Sequence, residues 1–193
     1  MHKNPFKIES NNIAPTKGSI LIAEPFLDGS YFSRSIILIA EYNNKEVVGF
    51  ILNKAIDFPI RNFKEELPNF PTDVHLGGPV NPEYLYFIHT AGDIIPDSIQ
   101  IVDNLYWGGS FDTLKELIND EKIKPSQVRF FLGYSGWTTE QLEQELKEDS
   151  WLVSNIDVNR IMKSSPDLWK DALKKLGGKY ALWEHFPQDP SMN

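Results

Sequence analysis

An α+β fold is what this sequence predicts, and three observations carry the prediction. Strand-like apolar runs dominate the first part of the chain, amphipathic helical patterns the later part, and no internal repeat or regular strand-helix-strand alternation is present. At 193 residues the chain is long enough for one well-buried core and too short to expect two, so a single domain follows. Hydrophobic residues at 41% and aromatics at 12% are the composition of a globular protein with no long disordered part.

The first dozen residues are polar and without periodicity. Residues 1–16 are therefore assigned to a polar leader, 17–186 to the domain and 187–193 to a tail. Gly18 to Ala23 and Ser35 to Tyr42 are β-rich runs, and the segment between them carries Pro25 and the turn dipeptide Asp28-Gly29. A third run, Val47 to Asn53, follows the second through Asn43-Asn44, a hairpin turn, so these three predict one antiparallel unit. Pro59 to Leu67, apolar at Ile60, Phe63 and Leu67, reads as a short helix stopped by Pro68. Val74 to Leu76 leads into a turn at Gly77-Gly78-Pro79. Tyr84 to Thr90 and Ser98 to Asp103 then continue the sheet around a break at Ala91-Gly92-Asp93.

Ser110 is placed to cap a helix reaching about Asn119, with Phe111, Leu114, Leu117 and Ile118 on the face that covers the sheet. The next segment has the densest local signals. Val128 to Leu132 is an apolar strand, Gly133 to Gly136 predicts a tight turn, and Thr138 is an N-cap with Gln141 three residues on. Trp137 and Leu142 occupy the two positions of a hydrophobic staple, so a helix over Thr139 to Lys147 follows. Trp151 to Val153 is a further strand, and Asp157 begins a helical turn to Met162. Ser165 as N-cap, Pro166 at the first helical position, Leu168, Trp169, Ala172, Leu173 and Leu176 on one side and Gly177 just beyond predict a last amphipathic helix.

Charge narrows the partners. Lysine and arginine number 19 against 27 acids, and the net charge of -8 opposes attraction to phosphate backbones and anionic lipid. The chain has no cysteine, so disulfides and thiolate chemistry are both excluded. The N-terminus has no signal-like apolar core, and no apolar run approaches a membrane span. These features predict a cytoplasmic protein with no membrane association; its partner, a protein or a small molecule, and its oligomeric state are not encoded in any motif.

Several motifs stand in order along the chain: Gly18-Ser19-Ile20-Leu21-Ile22-Ala23, Asp28 through Ser35, Gly49-Phe50-Ile51-Leu52-Asn53, Gly77-Gly78-Pro79-Val80, His89, Gly133-Tyr134-Ser135-Gly136-Trp137, Gln141-Leu142-Glu143 and Trp151. This ordered set, spanning roughly Gly18 to Trp183, resembles the YqgE/AlgH family of bacterial proteins. The resemblance implies a single-domain α+β fold with a bent, mainly antiparallel, partly closed and pseudo-barrel-like β-sheet flanked by helices. It also implies a binding or regulatory protein linked to transcriptional control. Two positions depart from the family pattern: Ala55 follows Lys54 where the family usually has proline, and Ser135 stands where it often has alanine.

Candidate chemistry is sparse. Ser135 in a strand-to-helix turn resembles a nucleophile elbow, but that elbow needs a glycine two residues after the serine and this chain has Trp137. His75 and His89 have neither two-histidine helical spacing nor acids at ligand spacing, so no metal and no cofactor is expected. Gly77-Gly78-Pro79 lacks the Lys-Ser/Thr end of a phosphate loop and is read as a structural turn. Ligand or partner contacts are assigned to Arg34 and Asn53, to Gly77, Gly78 and Pro79, and to His89, Tyr134, Trp137 and Gln141; none is assigned as catalytic. For His89 the structural alternative is a strand-end residue bonded to backbone; for Arg34 and Asn53 it is a hydrogen-bonded sheet corner; for the tryptophans it is core packing. Two other functions compete with binding. One is an enzyme using His89 with Asn53 or Gln141 in a cleft, and the other is direct nucleic-acid binding.

Overall fold

The computed structural model describes residues 8–57, 59, 60, 67 and 70–187. Three strands pair antiparallel in sequence order, β1 (Ile20–Ala23), β2 (Ile36–Tyr42) and β3 (Glu46–Ile51). Asn43 closes the β2–β3 hairpin: its N–H donates to the Glu46 carbonyl and its Oδ1 accepts from the N–H groups of Lys45 and Glu46. The strands that follow are β4 (Ala55–Ile56), β5 (Val74–Leu76), β6 (Val80–His89), β7 (Ile99–Val102), β8 (Leu105–Trp107), β9 (Val128–Thr138) and β10 (Trp151–Ser154).

Among the described residues these make one ten-stranded sheet in the order β10-β1-β2-β3-β9-β6-β8-β7, with β5 added to β9 and β4 to β5. The long strand β9 is its axis. β6 runs antiparallel along one edge of β9, while β3 and the parallel β5 succeed each other along the other. The sheet bends until Val102 of β7 lies directly over Gly18, yet β10 and β7 remain its two ends and it is not closed into a barrel.

Helices α1 (Phe111–Asn119), α2 (Thr139–Lys147), α3 (Val158–Ile161), α4 (Leu168–Leu176) and α5 (Gly178–Leu182) cover it. Strand alternation decides which helix meets which residues. Ile20, Ile22, Ile36, Leu38, Phe50 and Phe131 pack with Leu168, Trp169 and Leu173 of α4. Their neighbours in sequence, Leu21, Ile37, Ile39 and Ile51, pack with Leu142 of α2, and Val128, Phe130 and Leu132 pack with Leu114 and Ile118 of α1. Each such side chain taken fully out of water contributes about 2 kcal/mol.

The caps expected from the sequence are formed: the Ser110 hydroxyl accepts from the Thr113 N–H, and the Thr138 hydroxyl from the Gln141 N–H. β4, β8 and α5 are not expected from the sequence, and three expected elements take a different form. β9 continues through Gly133 to Thr138, so the segment with the composition of a tight turn is strand. β6 begins at Val80 because the residues after Pro79 go straight into pairing with Tyr134. α4 begins at Leu168, not at Pro166; the Leu168 N–H donates to the Ser165 carbonyl in a turn that precedes the helix. The short helix expected over 59–67 falls mostly outside the described residues.

Candidate functional site

The two glycine motifs meet at the centre of the molecule, backbone against backbone. The Gly77 N–H donates to the Leu132 carbonyl at 2.8 Å, and the Gly77 carbonyl accepts from the Ile51 N–H at 3.1 Å. A Cβ on Gly78 would lie 2.3 Å from the Tyr134 carbonyl, and one on Gly133, whose φ is 64°, would lie 2.5 Å from the Gly78 carbonyl. The glycines therefore serve a crossing of two chain segments, with no room for a methyl group between them. Ser135 is fully buried there and its hydroxyl donates to the Gly77 carbonyl, so it ties the crossing together. Beside the crossing the surface carries Pro79, Gly136 and Tyr84, all exposed, and Tyr134, half-buried and edge-on to Tyr86 with ring centroids 5.5 Å apart.

Asn53 and Arg34 form a corner between strand ends. The Asn53 Oδ1 accepts from the Ile36 N–H and its Nδ2 donates to the Arg34 carbonyl, both at 2.9 Å. That holds Arg34 at φ 53°, an uncommon backbone state for a side chain of this size. The Arg34 guanidinium lies 5.0 Å over the Trp169 ring and donates to the Phe186 carbonyl. Lys54, next in sequence to Asn53, donates to the Ser30 carbonyl at 2.8 Å, and burial lowers the pKa of both cations.

His89 is fully buried at the end of β6. The Ala91 N–H donates to its Nδ1, which assigns the proton to Nε2, and Nε2 faces the Gly108 carbonyl and the Ser98 hydroxyl, each at 3.1 Å. The Ser98 hydroxyl itself donates to the Ile95 carbonyl. Burial keeps this imidazole neutral. Gln141 is exposed on α2 and donates to Glu145 Oε1; Trp137 is buried and donates to Glu145 Oε2, which also accepts from Trp151. His89 pairs with Val128, whereas Gln141 lies beyond Thr138, so β9 at about 3.3 Å per residue separates them by roughly 33 Å. Gln141 is thus far from His89 along the sheet, and Asn53 and His89 are each hydrogen-bonded within their own surroundings.

One polar group carries no expectation from the sequence. Arg129 is 3% exposed, donates to the carbonyls of Leu52 and Ile161, and lies over the Phe131 ring; burial pushes its pKa down to about 10. His75, 1% exposed, places Nε2 3.0 Å from the Ser164 hydroxyl. Burial first, and the charge of Arg129 second, hold its pKa down to about 3. Among the described residues no three metal-ligating side chains cluster, and no helix is long and apolar enough to cross a membrane.

A family model described as AlgH-like matches residues 20–181, the whole sheet and all five helices but for Leu182 at the end of α5. This chain belongs to the AlgH-like family. A UPF0301 protein of Parabacteroides distasonis is 46% identical, covering all of this chain and 98% of the relative, and one of Bacteroides thetaiotaomicron is 42% identical over 97% of this chain and 96% of that one. Two solved structures share the fold: a protein from Corynebacterium diphtheriae, with TM-score 0.73 at 24% identity over 92% of this chain and 95% of its own, and the AlgH protein from Pseudomonas aeruginosa, with TM-score 0.72 at 24% identity over 92% and 98%.

Within this AlgH-like chain a signal for Arg129 is present in the sequence. It stands in phase with Phe131 in an apolar strand, the phase that turns inward toward α4. Its partners are not readable there, because both are main-chain carbonyls from distant segments.

Proposed function

We infer that this AlgH-like protein is a cytoplasmic binding or regulatory protein with no chemistry of its own, working through the surface beside the glycine crossing. The observation that carries this reading concerns the two Ser–His contacts of the described residues. A nucleophile needs a base whose pKa is near the working pH and a group that orients it. His75, beside the exposed Ser164, is held near pKa 3 by burial and Arg129, and no carboxylate stands behind its Nδ1. In the His89–Ser98 contact the facing nitrogen carries the proton and the serine hydroxyl points to a carbonyl. Neither pair has a working base.

Tyr84 at 60% exposure, Pro79, Tyr134 and Tyr86 then supply rigid, amphipathic contact area of the kind enriched in protein interfaces. A link to transcriptional control runs, on this reading, through a protein partner, because the net charge of -8 opposes direct contact with DNA.

The test has two arms. Purified protein is assayed on ester, phosphate and peptide substrates; turnover that disappears in Ser164→Ala or His75→Gln overturns the reading. Affinity capture from the native bacterium compares wild type with Tyr84→Ala, which changes an exposed ring. Loss of a specific partner with an unchanged melting temperature supports the reading, and unchanged capture moves the contact surface elsewhere. A gel shift with duplex DNA at low salt that weakens steeply as salt is added would support direct nucleic-acid binding instead.

A further inference from the structure

β10 ends the strand order, and a strand at the end of a sheet presents backbone N–H and C=O groups on which another strand can build. On one side β10 pairs antiparallel with β1. On the other side Val153 meets a side chain: Asn11 Nδ2 donates to the Val153 carbonyl at 2.6 Å, and the Val153 N–H donates to Asn11 Oδ1 at 3.1 Å. A primary amide carries the same donor and acceptor as a peptide unit. Asn11 therefore reproduces, from one side chain, the two-bond exchange that a residue of an added strand would make.

The segment around Asn11 is fastened by polar contacts. The Ser10 N–H donates to Asp149 Oδ1, the Tyr180 hydroxyl donates to the Ser10 carbonyl, and Lys179 pairs with Glu9 at 2.8 Å. Ile8 before Asn11 packs against the core and Pro15 beyond it is buried, while between them Ile13 is 51% exposed and a hollow of about 310 Å³ separates residues 10–15 from Tyr42 and Leu146. These part-buried contacts hold a short strap along the edge of β10, where Asn11 makes the contact with Val153.

We propose that Asn11 guards the edge of β10, its side-chain amide occupying the hydrogen-bonding position that a second copy of this chain would otherwise take. The second copy is the occupant that β10 itself specifies. With a period of two, Trp151 faces the same way as Val153, so two antiparallel copies of β10 pair Trp151 of each with Val153 of the other about a twofold axis at Leu152.

The test uses the full chain with Asn11→Ala, followed by sedimentation over a wide concentration range and by amide hydrogen exchange. The expected result is self-association at least tenfold tighter than in wild type. The Val153 amide, which exchanges fast in the dilute variant, becomes protected again as the dimer fills. The Leu152 amide, which faces β1, stays protected throughout and shows that β10 itself remains folded. A variant that stays monomeric at all concentrations overturns the proposal, as does association that leaves the Val153 amide exposed, or a Val153 amide as protected in the dilute variant as in wild type. Should Asn11→Ala lose Leu152 protection, Asn11→Leu, which keeps the side-chain volume and removes both the donor and the acceptor, is carried through the same measurements, and the same results support or overturn the proposal.

Discussion

The Gly133 carbonyl oxygen lies 2.1 Å from where a Cβ on Gly77 would begin. This contact is what makes the two glycine motifs one structural unit, although they are more than fifty residues apart in the chain. Substituting alanine at Gly77 has to push two strands of the sheet apart, because the obstructing atom is backbone. Gly77→Ala is expected to destabilise by about 3 kcal/mol or more, the upper range of overpacking. Gly177, at φ 68° and ψ -166° with nothing within 4 Å, has only the conformational cost of about 1–3 kcal/mol. Urea unfolding of the two variants separates close approach from backbone preference, and equal losses would refute the crossing as its cause.

Arg129 bridges β9, the end of β3 and the end of α3 through two carbonyls. Its planar fork reaches both, which the single ammonium of lysine does not. Arg129→Lys is therefore expected to lose roughly 2–4 kcal/mol in chemical denaturation despite keeping the charge, since it leaves buried carbonyls without a donor. A loss under about 1 kcal/mol, the net worth of one ordinary hydrogen bond, would show that the charge alone matters.

Acid stability should carry the mark of His75. Its folded pKa, about 3, lies below the ordinary value of about 6.5, so the unfolded chain takes the proton first as pH falls. The stabilisation is complete above about pH 6.5 and is lost progressively between there and about pH 3, with a slope approaching about 1.4 kcal/mol per pH unit. His89, also lowered by burial, acts in the same direction. In unfolding measured from pH 4 to 8, His75→Gln should show a shallower pH dependence than wild type. Parallel curves would contradict the assignment.

Glu145 Oε2 accepts from two indoles, Trp137 at 2.9 Å and Trp151 at 2.8 Å, whose rings meet edge-on at 6.1 Å. Glu145→Ala removes the shared acceptor of two largely buried donors and is expected to lose about 2–3 kcal/mol and to shift tryptophan emission. An unchanged melting temperature would show that water replaces the carboxylate without loss.

Much of the fold is legible locally. The β1–β3 meander, the Asn43 turn and the Ser110 and Thr138 caps each depend on residues close together in sequence, and each forms as expected. The candidate site is less legible. Gly133 to Gly136 has the composition of a turn, yet it is strand because Gly77 and Gly78 press against it. Asn53 and His89 have the sequence positions of recognition groups, with backbone bonding as the alternative, and the structure engages both with backbone.

By itself the sequence determined the α+β class, the net acidic charge and the absence of thiol chemistry, because composition and periodicity act over a few residues. Only the tertiary structure decided what those groups touch. The Gly77–Gly133 crossing, the burial and neighbouring charge that hold His75 neutral and the Asn11 amide on the edge of β10 join segments dozens of residues apart. Their energies depend on distances that no local pattern encodes.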